Sequence, residues 1–555
     1  MSDSDSDRTI DSDELRESLN TSKIHSVRSH SSKLHEISSS DDDEKRNHKV
    51  NKSKKDENKT ENRKEVDKRP LCKYGEKCYR KNVKHREQFR HFGGAAKKRK
   101  FDKIKHKRST FNFFLTKVTG IDSKYNQLIA LNITDLLSPL EGKLKASVQF
   151  NYMIDIPWLM KQYPLEFRSC PLLIVHGEQK EAKYRLEQSA KPYPNIKFCQ
   201  AKLEILYGTH HTKMMMMLYE NGLRVVIHTS NLIEGDWFQK TQGMWVSPIF
   251  PKLEEPSVTI GESPTEFKRD LIDYLTVYDD SSLNEWIQTV KYHDLSAAKV
   301  FLIGSVPGRH VGSRKTMFGH LKLRKILTNF GSSSVTSDWP VIGQFSSIGS
   351  LGPDKDKWLC GEWHTSLATV KKAKLIPNNV PLKLIYPTVD NVRLSLEGYP
   401  AGGSLPYSNH VAVKQPYLKN YFYQWKSSHL GRTCASPHIK SYCRISPCMK
   451  YISWFALTSA NLSKAAWGCL EKNGSQLMIR SYELGIVFIP EVLCNKNYFM
   501  VENDDDCNDE DEDNGKFFLP FDVPLDPYEK LDEPWIWNIP HTDLPDRFGN
   551  MWCPS

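Results

Sequence analysis

Polar residues dominate roughly the first 110 positions, and the alternation of apolar and polar stretches that marks a folded chain begins only after them. From there to the end, short aliphatic runs alternate with longer amphipathic ones. "AKLEILYG" at 201–208, "MMMMLY" at 214–219, "GLRVVIHTS" at 222–230 and "WFALTSAN" at 454–461 carry the aliphatic and β-branched content of strands. "SPTEFKRDLIDYLTVY" at 263–278 and "SLNEWIQTVKY" at 282–292 are charged amphipathic stretches that suit helices packed on a sheet. The pattern predicts an α/β chain with mixed sheets flanked by helices.

Composition divides the chain. Its 555 residues are far more than one core needs, so two or more domains are expected. Residues 1–70 are rich in Ser, Asp, Glu and Lys and nearly free of aromatics, which predicts a disordered tail. A basic linker at 93–109 follows; residues 92–108 hold eight Lys or Arg against one Asp, a density that suits nuclear import or nucleic-acid contact. The acidic block "ENDDDCNDEDEDNG" at 502–515 reads as an exposed loop insertion that would repel nucleic acid and so should point away from any DNA groove. No apolar run reaches membrane-spanning length, which argues against a membrane protein, and no signal-like start is present. Twelve cysteines at scattered spacings suit free thiols and one metal site better than a disulfide framework.

That metal site falls at 71–92. Cys72, Cys78, His85 and His91 are spaced C-x5-C-x6-H-x5-H, and two thiolates with two imidazoles can close a tetrahedral zinc shell. The surrounding "CKYGEKCYRKNVKH" resembles the small PBZ-type zinc finger, departing from it in having Phe92 after His91. The resemblance implies one structural zinc and poly(ADP-ribose) as partner, bound through Tyr79 and Arg80. An aromatic ring can stack on adenine and a guanidinium can pair with diphosphate oxygens.

The catalytic signal is a repeat. "THHTK" brings His211 and Lys213 ahead of the methionine run, with Asn231 eighteen residues after the lysine. "PHIK" brings His438 and Lys440, with Asn461 twenty-one residues after that lysine. Each asparagine follows an apolar strand, "TSN" in one copy and "TSAN" in the other. Met214 to Met217 read as buried strand residues. In an extended strand His211 and Lys213 share a face, and His210 lies on the opposite one. Duplication is the economical explanation, each half lending one His, one Lys and one Asn to a common cleft. The chemistry implied is phosphoryl transfer without a cofactor: one imidazole attacks phosphorus, the other moves protons, and lysines and asparagines hold the oxygens.

Two HxK motifs on duplicated halves resemble the phospholipase D superfamily. Its aspartate, expected five residues after each lysine, is replaced here by Leu218 and Ile445. That departure, with "DWFQKTQG", "GQFSSIGSLG", "EGYPAGGSLPYS", "TSANLSKAAWG", "SYELG" and the ending "PWIWNIPHTDLPDRFGNMWCPS", resembles the tyrosyl-DNA phosphodiesterase family within it, from about residue 110 to 555. The resemblance implies two similar phospholipase D-like α/β domains, 110–298 and 299–555, packed around a shared active-site cleft.

It further implies His211 as nucleophile, His438 as general acid and then base, and Lys213, Asn231, Lys440 and Asn461 as phosphate ligands. Gln242 and Glu483 would support the imidazoles, with their pairing left open. DNA contacts fall on Tyr207, Ser347, Ser350, Ser404 and Ser463, and peptide-side walls on Tyr152, Arg309 and Trp537. The implied partners are single- and double-stranded DNA ends and topoisomerase I–DNA adducts, met by a monomeric, nuclear protein, with its share between nucleus and cytoplasm left open. Two other classes compete: a phosphodiesterase for small or lipid substrates, and a non-catalytic DNA- and poly(ADP-ribose)-binding scaffold. The missing aspartates speak against the first and the intact His/Lys/Asn sextet against the second.

Overall fold

The computed structural model describes residues 110–127, 129–372, 379–502 and 515–554; the readings placed on 1–70, 71–92, 93–109 and most of 502–515 lie outside them. Strands β1 (Phe113–Thr116), β2 (Ala130–Leu131), β3 (Leu144–Phe150), β4 (Leu172–His176), β5 (Ile196–Gln200), β6 (Met214–Tyr219), β7 (Gly222–His228) and β8 (Gly243–Val246) form one mixed sheet, ordered β2-β1-β8-β7-β6-β3-β4-β5.

Further along come β9 (Phe301–Ser305), β10 (Gly308–Val311), β11 (Val341–Gln344), β12 (Leu382–Ile385), β13 (Phe422–Tyr423), β14 (Ser441–Ile445) and β15 (Tyr451–Thr458). They are followed by β16 (Cys469–Glu471), β17 (Gln476–Ile479), β18 (Glu483–Phe488), β19 (Phe499–Val501) and β20 (Lys516–Phe517). A second large sheet runs β13-β12-β11-β14-β15-β18-β9, with β19 and β20 joined to β15, and β10-β17-β16 make a small third sheet. Mixed sheets were expected, and both large sheets are mixed.

Pairing directions match strand for strand. β3 is antiparallel to β6 and parallel to β4, as β11 is antiparallel to β14 and parallel to β12. β7 joins antiparallel β6 and β8, as β15 joins antiparallel β14 and β18. β8 then takes β1 and β18 takes β9, both antiparallel.

The methionine run shows how strand periodicity builds the core. Met214 and Met216 join one apolar cluster with Ile439, Cys443, Phe455 and Leu457 of the second sheet, while Met215 and Met217 join another with Trp158, Leu159 and Leu186. All four are fully buried. A strand apolar on both faces is one with a layer packed on each side. The two large sheets therefore face each other across the first cluster. Helices cover the outer faces, among them Lys180–Ala190 on the first and Gly319–Phe330 on the second. The amphipathic stretches form helices Phe267–Thr276 and Ser281–Lys291, which turn Leu271, Leu275, Leu283 and Val290 into the central cluster.

One expected strand is absent. "AKLEILYG" leaves β5 as an irregular loop that turns at Ile205, whose carbonyl accepts the Gly208 N–H at 3.0 Å, and Tyr207 adopts a left-handed φ of +61°. Its apolar residues are divided: Ala201 is buried, Leu203 packs on the central cluster and Leu206 is 71% exposed. A Cβ on Gly208 would lie 2.3 Å from the Arg480 carbonyl, so the loop approaches the C-terminal half backbone to backbone, which only glycine permits.

Candidate active site

Both HxK motifs sit just ahead of central strands, where backbone bonds from the opposite half fix them. The His211 N–H donates to the Tyr482 carbonyl at 2.9 Å, beside Glu483 at the start of β18. The His438 N–H donates to the Thr241 carbonyl at 3.0 Å, beside Gln242, which immediately precedes β8. Each motif thus lies against the residue that precedes the other half's supporting side chain. His211 Nδ1 lies 2.8 Å from Glu483 Oε2, and His438 Nδ1 lies 2.8 Å from Gln242 Nε2. The pairing left open by sequence is therefore crosswise: glutamate from the C-terminal half on the N-terminal histidine, and glutamine from the N-terminal half on the C-terminal one.

The lysines are placed alike. Lys213 Nζ donates to the His211 carbonyl at 3.1 Å, and Lys440 Nζ donates to the His438 carbonyl. Both are fully buried. Asn461 Oδ1 accepts the Ser346 and Ser347 N–H groups, each at 3.1 Å, which leaves its amide nitrogen as the free donor. Asn231 donates its backbone N–H to Asp236 Oδ2 at 2.7 Å. Tyr152 stands edge-on to the His211 ring at 5.4 Å, with Lys213 Nζ 5.6 Å from its own ring centre. His210 faces the other way, its Nε2 on the Tyr278 hydroxyl at 3.0 Å. It is a core histidine.

Burial and mutual repulsion set the charge states. Desolvation pulls the His211 imidazole down to about 4 against the opposing pull of Glu483, so it is neutral at neutral pH. Its Nδ1–H then donates to the carboxylate, and Nε2 carries a free lone pair. Burial lowers His438 well below the usual histidine range, and Lys440, Lys213, Lys240 and His211 add to the effect. Lys213 falls to about 8, mainly by burial, and Lys440 is pushed well down by burial and by Lys213. Two lysines buried side by side in this way favour a bound anion, which would offset the cost of holding their charge.

Several residues of the site carry no sequence signal of their own. Ser459 Oγ donates to Glu483 Oε2 at 2.5 Å and Thr229 Oγ1 donates to Gln242 Oε1 at 2.7 Å, holding both supports from behind. Asp236, on the short helix Glu234–Phe238, reaches three members of the site: Asn231, Gln242 Nε2 at 3.1 Å and His438 Nδ1 at 3.3 Å. Lys240 forms a buried ion pair with Glu397 at 2.7 Å. In sequence Asp236 opens the segment "DWFQKTQG", but nothing there separates it from its acidic neighbour Glu234.

The outer residues are distributed around this centre. Ser347 shares the Asn461 contact and spends its hydroxyl proton on the Pro406 carbonyl at 2.6 Å. Ser463 accepts the Ala466 N–H as the cap of a helical turn, and Ser350, on a loop, and Ser404, at the end of the 3-10 helix Tyr399–Ser404, are half-buried. Tyr207 is 37% exposed at its loop tip. The Trp537 backbone N–H donates to the Tyr407 carbonyl, one residue from the Pro406 that binds Ser347. Arg309 lies on β10 of the small sheet, its guanidinium paired with Glu471 at 3.3 Å. Of the three residues expected on the peptide side, Tyr152 alone lies against His211 and Lys213. Cys72, Cys78, His85, His91, Tyr79 and Arg80 lie outside the described residues. Among the described residues, no group of three or more His, Cys, Asp or Glu is arranged to hold a metal ion, and no helix is long and apolar enough to cross a membrane.

Comparison with known proteins gives two family matches, to the tyrosyl-DNA phosphodiesterases over residues 112–529 and to the PBZ domain over 69–94. Tyrosyl-DNA phosphodiesterase 1 of Drosophila melanogaster is 39% identical over 456 residues, covering 80% of this chain and 75% of the fly protein. The Arabidopsis thaliana protein of that name is 38% identical over 452 residues, covering 74% and 72%. The crystal structure of the yeast tyrosyl-DNA phosphodiesterase superposes with a TM-score of 0.58 at 21% identity, covering 76% of this chain and 98% of the yeast one, and so shares the fold.

Proposed function

Since the chain belongs to the tyrosyl-DNA phosphodiesterase family and is a DNA-repair phosphodiesterase for 3′-phosphotyrosyl adducts, we propose that it works by a two-histidine covalent mechanism in a cleft built from two duplicated halves. The duplication is supported by the matching strand order and pairing directions of the large sheets, and by an HxK motif ahead of an equivalent strand in each.

His211 is the nucleophile. Its Nε2 lone pair forms the N–P bond while the P–O bond to tyrosine breaks, and Glu483 takes the growing positive charge through Nδ1–H. His438, as imidazolium, gives its Nε2 proton to the departing phenolate oxygen. It then takes a proton from water as that oxygen attacks phosphorus, the N–P bond breaks and a 3′-phosphate leaves. Lys213, Lys440, Asn231 and Asn461 hold the non-bridging oxygens, where transition-state charge develops. A bound phosphodiester offsets the field of the lysines and so lets His438 hold its proton in the complex, although it sheds it in the free enzyme.

Tyr207, Ser347, Ser350, Ser404 and Ser463 contact the DNA, the ring by stacking and the serines by hydroxyl and backbone donors. Tyr152 and Trp537 line the peptide side, with Arg309 beyond them. Other 3′ blocking adducts fit the same attack, because only the leaving group changes. In the N-terminal finger, Cys72, Cys78, His85 and His91 would hold one zinc, whose role is to fold the segment. Tyr79 and Arg80 would bind poly(ADP-ribose) and bring the enzyme to marked damage in the nucleus.

The observation that carries this reading is the crossed support of the two histidines. Its test is cleavage of a 3′-phosphotyrosyl oligonucleotide in EDTA. Turnover is expected to persist with wild-type protein and to vanish with His211→Ala. Turnover that EDTA stops, or that survives the substitution, would overturn the mechanism.

A further inference from the structure

A histidine that donates a proton from Nε2 must keep one on Nδ1, since otherwise it would leave as an imidazolate. Nδ1 of His438 therefore needs an acceptor during catalysis. Two groups reach it. The Gln242 carboxamide presents Nε2 at 2.8 Å and Oε1 at 3.2 Å, and Asp236 presents Oδ2 at 3.3 Å. Thr229 and Asp236 orient the amide between them: Oε1 accepts the Thr229 hydroxyl at 2.7 Å, and Nε2 donates to Asp236 Oδ2 at 3.1 Å. The end of Gln242 nearest Nδ1 is thus a donor. It suits the neutral resting ring, with its proton on Nε2, and opposes the imidazolium.

Asp236 suits the other state. Its carboxylate is buried, and the same Oδ2 accepts the Asn231 N–H at 2.7 Å. Burial presses the proton off His438, and Lys440, Lys213, Lys240 and the neighbouring His211 add to it. Lys240 is itself paired with Glu397, and Glu483 acts on Lys213 and Lys440. Among the described residues Asp236 is the carboxylate in reach of Nδ1; burial raises its pKa, and Lys240, the Asn231 N–H, Lys440 and Lys213 oppose that and favour its charged form. Resting on the two-histidine reading above, we propose that Asp236 is a positioning residue for the acid–base step: its carboxylate receives the Nδ1–H of the His438 imidazolium and keeps Nε2–H aimed at the leaving oxygen. Gln242 serves the resting tautomer and Asp236 the working one. The extra proton enters from solvent as the phosphodiester binds. It stays on Nδ1 while Nε2 first gives a proton to the phenolate and then takes one from water.

The test exploits leaving-group basicity. A tyrosyl phenolate, of reference pKa about 10, needs protonation, whereas p-nitrophenolate, from a far more acidic phenol, does not. Asp236→Asn keeps an oxygen for the Asn231 N–H and removes the charge. In rapid-quench measurements of covalent adduct formation, the variant is expected to be about 100-fold slower on a 3′-phosphotyrosyl oligonucleotide and within about threefold of wild type on a 3′-p-nitrophenyl phosphate one. Equal losses on both, or none on either, would overturn the proposal by reducing Asp236 to a scaffold.

Gln242→Ala supplies the second arm, independent of how well Asp236→Asn folds. It is expected to slow both substrates by one common factor, and a loss confined to phosphotyrosine there would assign the role to Gln242 instead. Wild-type protein that forms no adduct with either substrate would overturn the two-histidine reading and this proposal with it.

Discussion

The proposed mechanism requires His211 to attack as a neutral imidazole, and burial provides that state by drawing it down to about 4. The opposite demand falls on His438, which must be charged to protonate the phenolate and is held neutral in the free enzyme by burial and the surrounding cations. The two demands predict a pH signature. The pH profile of kcat/KM reports the free enzyme, so its alkaline limb follows the lowered His438 and falls as pH rises, steepening above about 8 as Lys213 is lost. The profile of kcat reports the complex, in which the phosphodiester opposes the lysines and raises His438, so its alkaline limb lies at higher pH. Steady-state profiles of both parameters check this, and limbs that coincide would show that substrate charge does not restore the acid.

At the scale of elements, the site depends on how closely β18 and β15 approach, because β18 begins with Glu483 and β15 leads to Ser459. A Cβ on Gly485 would lie 2.4 Å from Thr458 Cβ and 2.5 Å from the Leu457 carbonyl, with backbone on one side and a branched side chain on the other. Gly485→Ala should therefore cost about 1–3 kcal/mol of stability, the range for overpacking a tight core, and lower turnover by tilting Glu483 away from His211. Thermal denaturation and phosphotyrosyl cleavage measure the two effects, and a variant unchanged in both would remove strand spacing from the account.

Most of the strands that carry the site were legible from sequence, since Met214 and Met216, Leu223, Val225 and Ile227, and Phe455 and Leu457 are the apolar residues that the facing sheets bury. "AKLEILYG" misled for a physical reason. Its aliphatic residues are divided between the core and solvent in a loop whose course is set by the Arg480 carbonyl of the distant half, a contact no local pattern encodes.

Across the whole molecule, the site is composite. The His/Lys/Asn sextet could be read because it occurs twice, and repetition separates a functional pattern from a buried accident. Asp236 occurs once. It stands five residues after Asn231, whereas the residue five after Asn461 is Ala466, so no internal comparison exposes it. The crossed bonds from Glu483 to His211 and from Gln242 to His438 were equally hidden, because each joins residues about 200 or more apart in sequence through the packing of one sheet on the other.

The central claim is that the N-terminal histidine carries the DNA and the C-terminal one releases it. It is tested most directly with His438→Asn, incubated with a 3′-phosphotyrosyl oligonucleotide, denatured, digested and mapped by mass spectrometry. A covalent DNA–protein species should accumulate because its hydrolysis lacks a base, and the phosphoryl group should map to His211. An adduct on any other residue, or free 3′-phosphate product formed at the wild-type rate, would contradict the account.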